Sequence, residues 1–193
     1  MNISAILLAA GSGSRFGGGK LLHPLHDGVA IGAHAARNLI AAGLNVVAVV
    51  RPGDTRVAEL LQREGCTVTV CPHAAQGMGT SLACGVGASR DADGWLIALA
   101  DMPLIRSATI AAIAGELEAG KTLVAPAYQG RRGHPVGFGR RFGNQLAMLA
   151  GDAGARDIIA AACDELVLME CNDSGILQDI DRRSDLKQAA FPK

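Results

Sequence analysis

Short apolar runs alternate with amphipathic stretches along the first 126 residues of the chain. Residues 3–9 and 45–50 are rich in Val, Ile and Leu, and they lack the apolar–polar alternation of a half-exposed strand. Continuous apolar runs of this length are typical of strands that are covered on both faces. Between them, residues 30–42 have apolar positions at helical spacing and are followed by Gly43, a residue type that commonly ends helices. The pattern predicts a strand, a helix and a second strand.

The same order of elements then repeats. Gly65 and Gly120 are expected to end two further helices, and Ser107 is the expected N-cap of the second of these. Alternation on this scale predicts an α/β fold with a mostly parallel sheet, helices on both faces and right-handed crossovers. The predicted helices cover residues 55–64, 80–88 and 107–119, and the predicted strands cover residues 67–70, 95–100 and 122–125.

The pattern weakens in the C-terminal third. Residues 128–139 are rich in Gly and Arg and predict a loop with a short strand. Residues 141–150 and 155–162 have helical spacing, and residues 165–169 are a candidate edge strand. No internal repeat or linker separates this part from the rest. We therefore predict a single domain over residues 1–193, whose C-terminal third caps one side of the sheet.

Composition and charge narrow the class of protein. Apolar residues make up 49% of the 193 residues and charged residues only 19%, which predicts a dense core and excludes a disordered chain. Basic and acidic residues number 18 each, so no overall field attracts nucleic acid or an anionic membrane. We expect neither as a partner, and a polyanionic ligand would need a local cluster of cations.

The cysteines and the N-terminus predict a cytoplasmic location. The five cysteines contain no C-x-x-C pair and leave an odd number, which argues against a disulfide framework and a zinc knuckle. Most of them are expected to be small buried hydrophobic residues. The apolar stretch over residues 3–10 has no basic segment before it and is far shorter than the roughly 20 residues of a membrane span.

A glycine-rich segment, "LAAGSGSRFGGGK", follows the first predicted strand, at the sheet edge where α/β proteins bind ligands. A P-loop requires glycine where Ser14 stands, and a dinucleotide fingerprint requires glycine where Phe16 stands, so both patterns fail. The glycines still let backbone N–H groups approach phosphate oxygens, and Arg15 and Lys20 supply positive charge. The segment therefore predicts a loop that binds phosphate groups.

This segment also resembles a family signature, L-A-A-G-x-G-x-R-F-G-x-x-K. It is similar to that of nucleotidyltransferases that attach a nucleotide to the molybdenum cofactor, in particular the molybdenum cofactor cytidylyltransferases. The family implies a three-layer, Rossmann-like nucleotide-diphospho-sugar transferase fold, with a nucleotide-binding part over residues 1–126 and an acceptor-side part over residues 127–193. Further matches are Q-G-M-G-T-S-L (76–82), L-A-D-M-P (99–103), G-H-P-V-G-F (133–138), G-D-A-G-A-R (151–156) and D-I-D (179–181).

The resemblance implies that CMP is transferred from CTP to the molybdenum cofactor, molybdopterin, with release of pyrophosphate. Enzymes catalyse such a transfer mainly by positioning the reactants and by stabilising charge, so a divalent cation is expected. Mg²⁺, or Mn²⁺ as its substitute, is a hard cation that needs carboxylate ligands. Asp101 directly follows the apolar run of residues 95–100, so it is predicted at the ligand-binding edge as a metal ligand. Asp181 is the second ligand by resemblance. Asp179 is its alternative, because residues 182–184 depart from the Thr-Pro that usually follows in the family.

The resemblance also implies roles for the other site residues. Arg15 would bind the β- and γ-phosphates, and Lys20 the α-phosphate and the charge that develops on it; with Asp101 they are the expected catalytic residues. The expected acceptor-binding residues are His134, Asp152 and Arg156. The expected nucleotide-binding residues are Leu8, Ala9, Ala10, Gly11, Gly13, Arg15, Lys20, Gly77 and Ser81.

Several alternatives stay open. Ala10 favours CTP, because guanylyltransferases tend to read L-A-G-G at this point and a methyl group narrows the room for a purine, but GTP is an alternative. The segment over residues 76–82 could alternatively be a simple helix N-terminus that is capped by Thr80 or Ser81 and has no role in nucleotide binding. Another nucleotidyltransferase of the same fold, an NAD-dependent oxidoreductase and a non-catalytic cofactor-handling protein are further alternatives. We expect a monomer that passes its product to a recipient molybdoenzyme by transient contact.

Overall fold

The computed structural model describes residues 1–187, and within this range eight strands form one sheet flanked by six α-helices. This confirms the predicted α/β architecture. The strands are β1 (Ile3–Leu8), β2 (Asn45–Val50), β3 (Thr67–Val70), β4 (Gly94–Leu99), β5 (Leu123–Tyr128), β6 (Arg131–Arg132), β7 (Val136–Gly139) and β8 (Leu166–Glu170). The helices are α1 (Ile31–Ala41), α2 (Thr55–Arg63), α3 (Met78–Gly87), α4 (Ser107–Glu118), α5 (Gly143–Ala147) and α6 (Arg156–Ala161).

The order of strands across the sheet is β3-β2-β1-β4-β7-β5-β6, and β8 pairs with β5. β1 runs parallel to β2 and β4, and β2 runs parallel to β3, as predicted. β7 is antiparallel to both of its neighbours, β4 and β5. Since parallel strands end at the same edge, the loops after β1, β2 and β4 meet there and build the site.

The C-terminal third contributes strands to the sheet, so the prediction that it caps one side was wrong, but the short strand predicted within residues 128–139 and the edge strand predicted over residues 165–169 are confirmed as β7 and β8. β7 is inserted between β4 and β5, and β8 extends the sheet as a parallel strand beside β5. Glycine occupies two of the four positions of β7, so the sequence predicts a short strand in this region but not its place inside the sheet. At Gly137 an added Cβ would lie 3.0 Å from the Leu117 side chain and 3.1 Å from that of Ile113. The glycine therefore serves close packing of α4 on the sheet.

The start of α4 differs from its prediction. Arg106, in an extended conformation, is the N-cap in place of Ser107, and no side-chain oxygen of its own caps the helix. The buried Asp173 instead accepts the backbone N–H of Arg106 at 2.9 Å and the hydroxyl of Thr109 at 2.7 Å. A carboxylate that is distant in the sequence thus accepts the hydrogen bonds that an N-cap side chain would normally accept. A search for N-cap residues near the helix start cannot detect such a partner.

Two apolar cores cover the two faces of the sheet. α1, α2 and α4 pack on one face, and α3, α5 and α6 pack on the other.

The five cysteines are free, and two of them, Cys66 and Cys71, are buried, so the expectation that most are buried was wrong. Among the residues described, no helix combines the length and the apolar content that crossing a bilayer would require.

Candidate active site

The glycine-rich loop leaves the end of β1 and folds back in two short 3-10 turns, Ser14–Phe16 and Lys20–Leu22. Gly13 and residues 17–19 have φ angles between 59° and 91°, a region that favours glycine. The N–H of Gly18 donates to the carbonyl of Gly13 at 3.2 Å, which closes the loop on itself. These glycines bring Lys20 back to the end of the strand, where ligands are expected.

Phe16 anchors this loop. Its side chain is only 2% exposed, and its ring meets that of His23 edge-on at 5.3 Å. The Arg183 guanidinium lies 5.2 Å from the ring centroid, and its Nε donates to the carbonyl of Phe16 at 3.4 Å. In the sequence Phe16 is a mismatch to the dinucleotide pattern and a position of the family signature, and neither predicts that it anchors the loop. A lone aromatic residue among glycines was the available signal for an anchor.

A chain of ion pairs joins the loop to two aspartates. The Lys20 ammonium lies 2.7 Å from Oδ2 of Asp101 and 3.6 Å from Oδ1 of Asp181. Arg15 donates to Oδ2 of Asp181 at 2.7 Å. The Lys20 side chain is 11% exposed and that of Arg15 is 71% exposed, so Lys20 is enclosed while Arg15 remains open to solvent. The structure thus brings together four residues that the sequence placed in one site.

Asp181 reaches this site because its segment is tied to the end of β4. The N–H of Ile180 donates to the carbonyl of Asp101 at 2.9 Å. The hydrogen bond from Arg15 lowers the pKa of Asp181, although partial burial opposes this, and the charge of Lys20 lowers it further. Asp181 is therefore ionised near neutral pH. The exposed Asp179 lies on the other side of Ile180, and Asp181 makes the contacts with both cations.

The donor set suits a hard divalent cation. Asp101 and Asp181 both contact the ammonium of Lys20, so their carboxylates face a shared position. Carboxylate oxygens are the ligands that Mg²⁺ and Mn²⁺ prefer, and these ions commonly complete their shell with water and phosphate oxygens. Within residues 1–187 no group of three or more His, Cys, Asp or Glu side chains is arranged to hold a metal alone. A cation here would thus depend on the nucleotide for further ligands.

A cleft of about 640 Å³ opens beside the loop. Arg51, which sequence reasoning missed, lines it and pairs with Asp54 at 2.7 Å. Its position directly after β2 was the available signal, since that end of the strand belongs to the ligand-binding edge. The cleft contains the predicted residues Leu8, Ala10, Gly11, Gly77, Ser81, Asp101 and Asp152, and an adjoining smaller pocket contains Ala9, Gly13 and Lys20.

The predicted segments 76–82 and 151–156 contact each other directly. Gly77, with φ 129°, is the N-cap of α3, so Thr80 and Ser81 do not cap this helix. The N–H of Gly79 donates to the carbonyl of Gly151 at 2.8 Å, and the N–H of Gly151 donates to Oγ1 of Thr80 at 3.2 Å. Two motifs far apart in the sequence therefore form one wall of the cleft.

A second pocket of about 290 Å³ lies on the other side of this wall. It contains the predicted acceptor residues His134, Asp152 and Arg156, and also Arg132, which the sequence did not single out. Asp152 and Leu8 line both cavities, so the two are neighbours. The remaining lining is largely apolar and comes from Met78, Leu82, Ile97, Leu99, Val136, Phe138 and Ile159.

His134 is held in this pocket with an unsatisfied nitrogen. Its backbone N–H donates to the carbonyl of Ile176 at 3.0 Å, and its buried Nδ1 has no hydrogen-bond partner among the described residues. Burial lowers the pKa of His134, and the nearby charge of Arg132 lowers it further. The imidazole is therefore neutral near pH 7, and Nδ1 is free to interact with a bound molecule.

The lowered pKa makes stability depend on pH in a defined direction. The unfolded chain binds a proton at His134 more readily than the folded chain, so stability falls as the pH decreases from about 7.5 to about 5.5. His134→Gln removes this contribution, and the pH dependence of its unfolding free energy should be shallower than that of the parent. Urea unfolding at both pH values measures it. The exposed His73→Gln is the control, and an equal slope in all three proteins would contradict the assignment.

The fold and the site together define a nucleotidyltransferase. Comparison with known proteins agrees, because the chain matches the MobA-like NTP transferase domain over residues 5–166. The chain belongs to this family. Among solved structures it is similar to a nucleotidyl transferase from Methanothermobacter thermautotroptrophicus, Mth528, with 26% identity, a TM-score of 0.81 and coverage of 97% of this chain and 95% of that one.

The chain is also similar to another solved structure and, by sequence, to two characterised proteins. Rv0371c of Mycobacterium tuberculosis H37Rv has a TM-score of 0.85 at 23% identity, over 97% of this chain and 96% of that one, and its structure has also been solved with manganese. Nicotine blue oxidoreductase of Paenarthrobacter nicotinovorans is 28% identical over 93% of this chain and 92% of its own. The bifunctional protein GlmU of Nitrobacter hamburgensis is 33% identical over 86% of this chain, which spans only 36% of GlmU.

Proposed function

We propose that the protein transfers CMP from CTP to the phosphate group of molybdopterin, the molybdenum cofactor, with release of pyrophosphate. The observation that carries the proposal is the enclosed Lys20, which contacts Asp101 and Asp181 and lines the small pocket adjoining the cleft of about 640 Å³, which we call the nucleotide cleft. This arrangement supplies charge where the α-phosphate of a triphosphate would be attacked. The family resemblance of the sequence motifs supports the acceptor and the nucleotide.

In the proposed reaction an oxygen of the acceptor phosphate forms a bond to the α-phosphorus of CTP. The bond between the α-phosphorus and the bridging oxygen of pyrophosphate breaks, and the electron pair leaves with pyrophosphate. Lys20 stabilises the charge that develops on the α-phosphate, and Arg15 binds the β- and γ-phosphates. A divalent cation held by Asp101 and Asp181 would supply further neutralisation of this charge.

The second pocket suits the proposed acceptor. Its apolar lining offers surface to a flat ring system, while Arg132 and Arg156 offer guanidinium groups to a phosphate. His134 adds a neutral imidazole whose Nδ1 is free to accept a hydrogen bond from a ring N–H. Because this pocket adjoins the nucleotide cleft along Asp152, an acceptor phosphate and a nucleotide could meet there.

Ala10 supports CTP over GTP. It lines the nucleotide cleft next to Gly11, so its methyl group occupies space that a glycine would leave to the base. One methyl group discriminates by about 1 to 3 kcal/mol. The preference for a pyrimidine is accordingly moderate, and GTP is the alternative substrate.

We also propose that the protein acts as a monomer in the cytoplasm and passes its product to a molybdoenzyme by transient contact.

Thermal unfolding with CTP, GTP, ATP or NADH, each with and without Mg²⁺ or Mn²⁺, tests the nucleotide and the metal. A ligand at about 100 times its dissociation constant adds about 2.7 kcal/mol to stability. For a domain of this size the expected shift in Tm is roughly 5 to 10 °C. We expect the largest shift with CTP and a divalent cation, and we expect Asp101→Asn to remove its metal-dependent part.

Glu118→Gln is the matched control, because it also neutralises a carboxylate but lies exposed on α4, away from the cleft. A shift with GTP alone would overturn the choice of base and leave the reaction class standing. A shift with CTP that is the same with EDTA and with Mg²⁺ would contradict the metal site. Absence of pyrophosphate release in the presence of bound CTP and molybdopterin would favour a protein that handles the cofactor without transfer.

A second candidate function is an oxidoreductase that uses NADH or NADPH. It is favoured by the similarity to nicotine blue oxidoreductase along nearly the full length of both chains. The dinucleotide fingerprint is absent from the sequence, and Phe16 is packed where its third glycine would lie. Oxidation of NADH or NADPH followed at 340 nm with nicotine blue as acceptor would establish it, and a Tm shift with NADH alone would point the same way.

A further inference from the structure

A second basic cleft lies at the opposite edge of the sheet from the candidate active site. Its volume is about 600 Å³, close to the 640 Å³ of the nucleotide cleft. Val86 and Gly87 at the end of α3 form one side, and Trp95 at the start of β4 lines it as well. Among the residues that the structure describes, the lining contains no carboxylate, while Arg90, Arg140 and Arg141 all belong to it.

The three arginines differ in how they are held. Arg140 donates from Nη1 to the carbonyls of Ala92 at 2.6 Å and Arg90 at 3.3 Å, so its position is fixed by the loop before β4. Arg141 lies over the ring of Phe142 at 4.9 Å and pairs with Glu165.

Arg90 is exposed, and its carbonyl rather than its side chain makes the contact with Arg140. Three arginines therefore line one cleft, and Glu165 pairs with only one of them. The cleft carries an excess of positive charge.

The separation from the active site is large. Trp95 is near the start of β4, and Asp101 follows the other end of that strand. At about 3.3 Å per residue, the strand from Trp95 to Leu99 spans roughly 13 Å, and Asp101 lies beyond its end. The basic cleft and the nucleotide cleft share no lining residue, so a ligand in one does not occupy the other.

We propose that this cleft is a second binding site, for a small phosphate-bearing anion. Guanidinium groups bind phosphate through paired hydrogen bonds, and their planar forks suit phosphate better than chloride. A cavity of this size is in the range of small-molecule sites. The space beside Gly87 is open, since an added Cβ there would meet nothing within 4 Å, so a larger side chain can be introduced at this lining position.

Trp95 makes the proposal directly testable, because it is the single tryptophan of the chain and lines this cleft. Inorganic pyrophosphate and CTP are titrated without metal while the tryptophan emission is followed. We expect a saturable change in emission. Arg90→Ala should weaken the dissociation constant at least about tenfold, and Gly87→Phe, which fills the cleft, should remove the response.

Two controls separate this site from the active site. Arg63→Ala removes an exposed arginine from α2, on the other face of the sheet, and should leave the response unchanged. Lys20→Ala should also retain it. A response that is lost in Lys20→Ala but kept in Arg90→Ala would overturn the proposal, as would the absence of any saturable response in the parent. Arg90→Ala keeps the test decisive if Gly87→Phe does not fold, because Arg90 is exposed.

Discussion

Replacement of Lys20 by alanine is expected to lower the rate of nucleotidyl transfer by at least about 10³-fold while leaving the fold intact. The Lys20 ammonium is enclosed, and it lies 2.7 Å from Asp101. Removing it takes away the positive charge nearest to the expected α-phosphate. Asp101 is 24% exposed, so water can solvate its carboxylate in the variant, and the loss of stability should be small. Single-turnover release of pyrophosphate from CTP and molybdopterin measures the rate.

Lys121→Ala is the matched control, because Lys121 is exposed and follows α4, outside the site. Circular dichroism and Tm should show that both variants fold. An unchanged single-turnover rate in Lys20→Ala would remove Lys20 from the mechanism. A parallel loss in Lys121→Ala would mean that the assay reports total charge and not the site.

Replacement of Gly77 by alanine is expected to destabilise the protein by about 2 to 3 kcal/mol, which lowers Tm by roughly 5 to 10 °C. An added Cβ would lie 2.3 Å from Oδ1 of Asp152 and 2.4 Å from the carbonyl carbon of Gly151. The φ angle of 129° adds strain for any side chain. The wall between the nucleotide cleft and the acceptor pocket must move apart, so CTP binding should weaken as well. Thermal unfolding and CTP titration measure the two effects.

Gly115→Ala provides the comparison. Gly115 lies on the exposed side of α4, where an added Cβ would meet nothing within 4 Å, and alanine there should raise stability by up to about 1 kcal/mol. If Gly77→Ala kept the parent Tm and CTP affinity, the close contact with residues 151–152 would not exist in solution. A lower Tm with normal CTP binding would confine its role to folding.

The sequence predicted the first half of the fold well because local signals and tertiary structure agree there. The strand at Asn45–Val50 has its predicted bounds, and Gly43 and Gly65 follow their helices with positive φ. Prediction failed where structure depends on distant partners. Asp173 caps α4 from far along the chain, and Gly137 in β7 reflects close packing against α4. No local pattern encodes either relation.

For the candidate site, the order and spacing of the motifs that resemble the family's placed Arg15, Lys20, Asp101 and Asp181 in one site, and the structure brings these residues together. Asp101 could also be placed by physical reasoning, because it follows a buried strand. The contact between Lys20 and Asp181 could not be predicted in this way. It depends on a loop with several positive φ angles and on a backbone hydrogen bond between Ile180 and Asp101. Arg51 and Arg132 lie at strand ends without a motif, and only the folded chain reveals them.

The place of β7 in the sheet has a consequence for biosynthesis. β4 is a buried, apolar strand whose second neighbour, Val136–Gly139, is made only after β5 and the turn beyond it. While the ribosome adds the residues between Leu99 and Val136, β4 has an open edge that another nascent chain could pair with. Translation speed through this interval and early chaperone binding should therefore govern the yield of folded protein more strongly here than near the N-terminus.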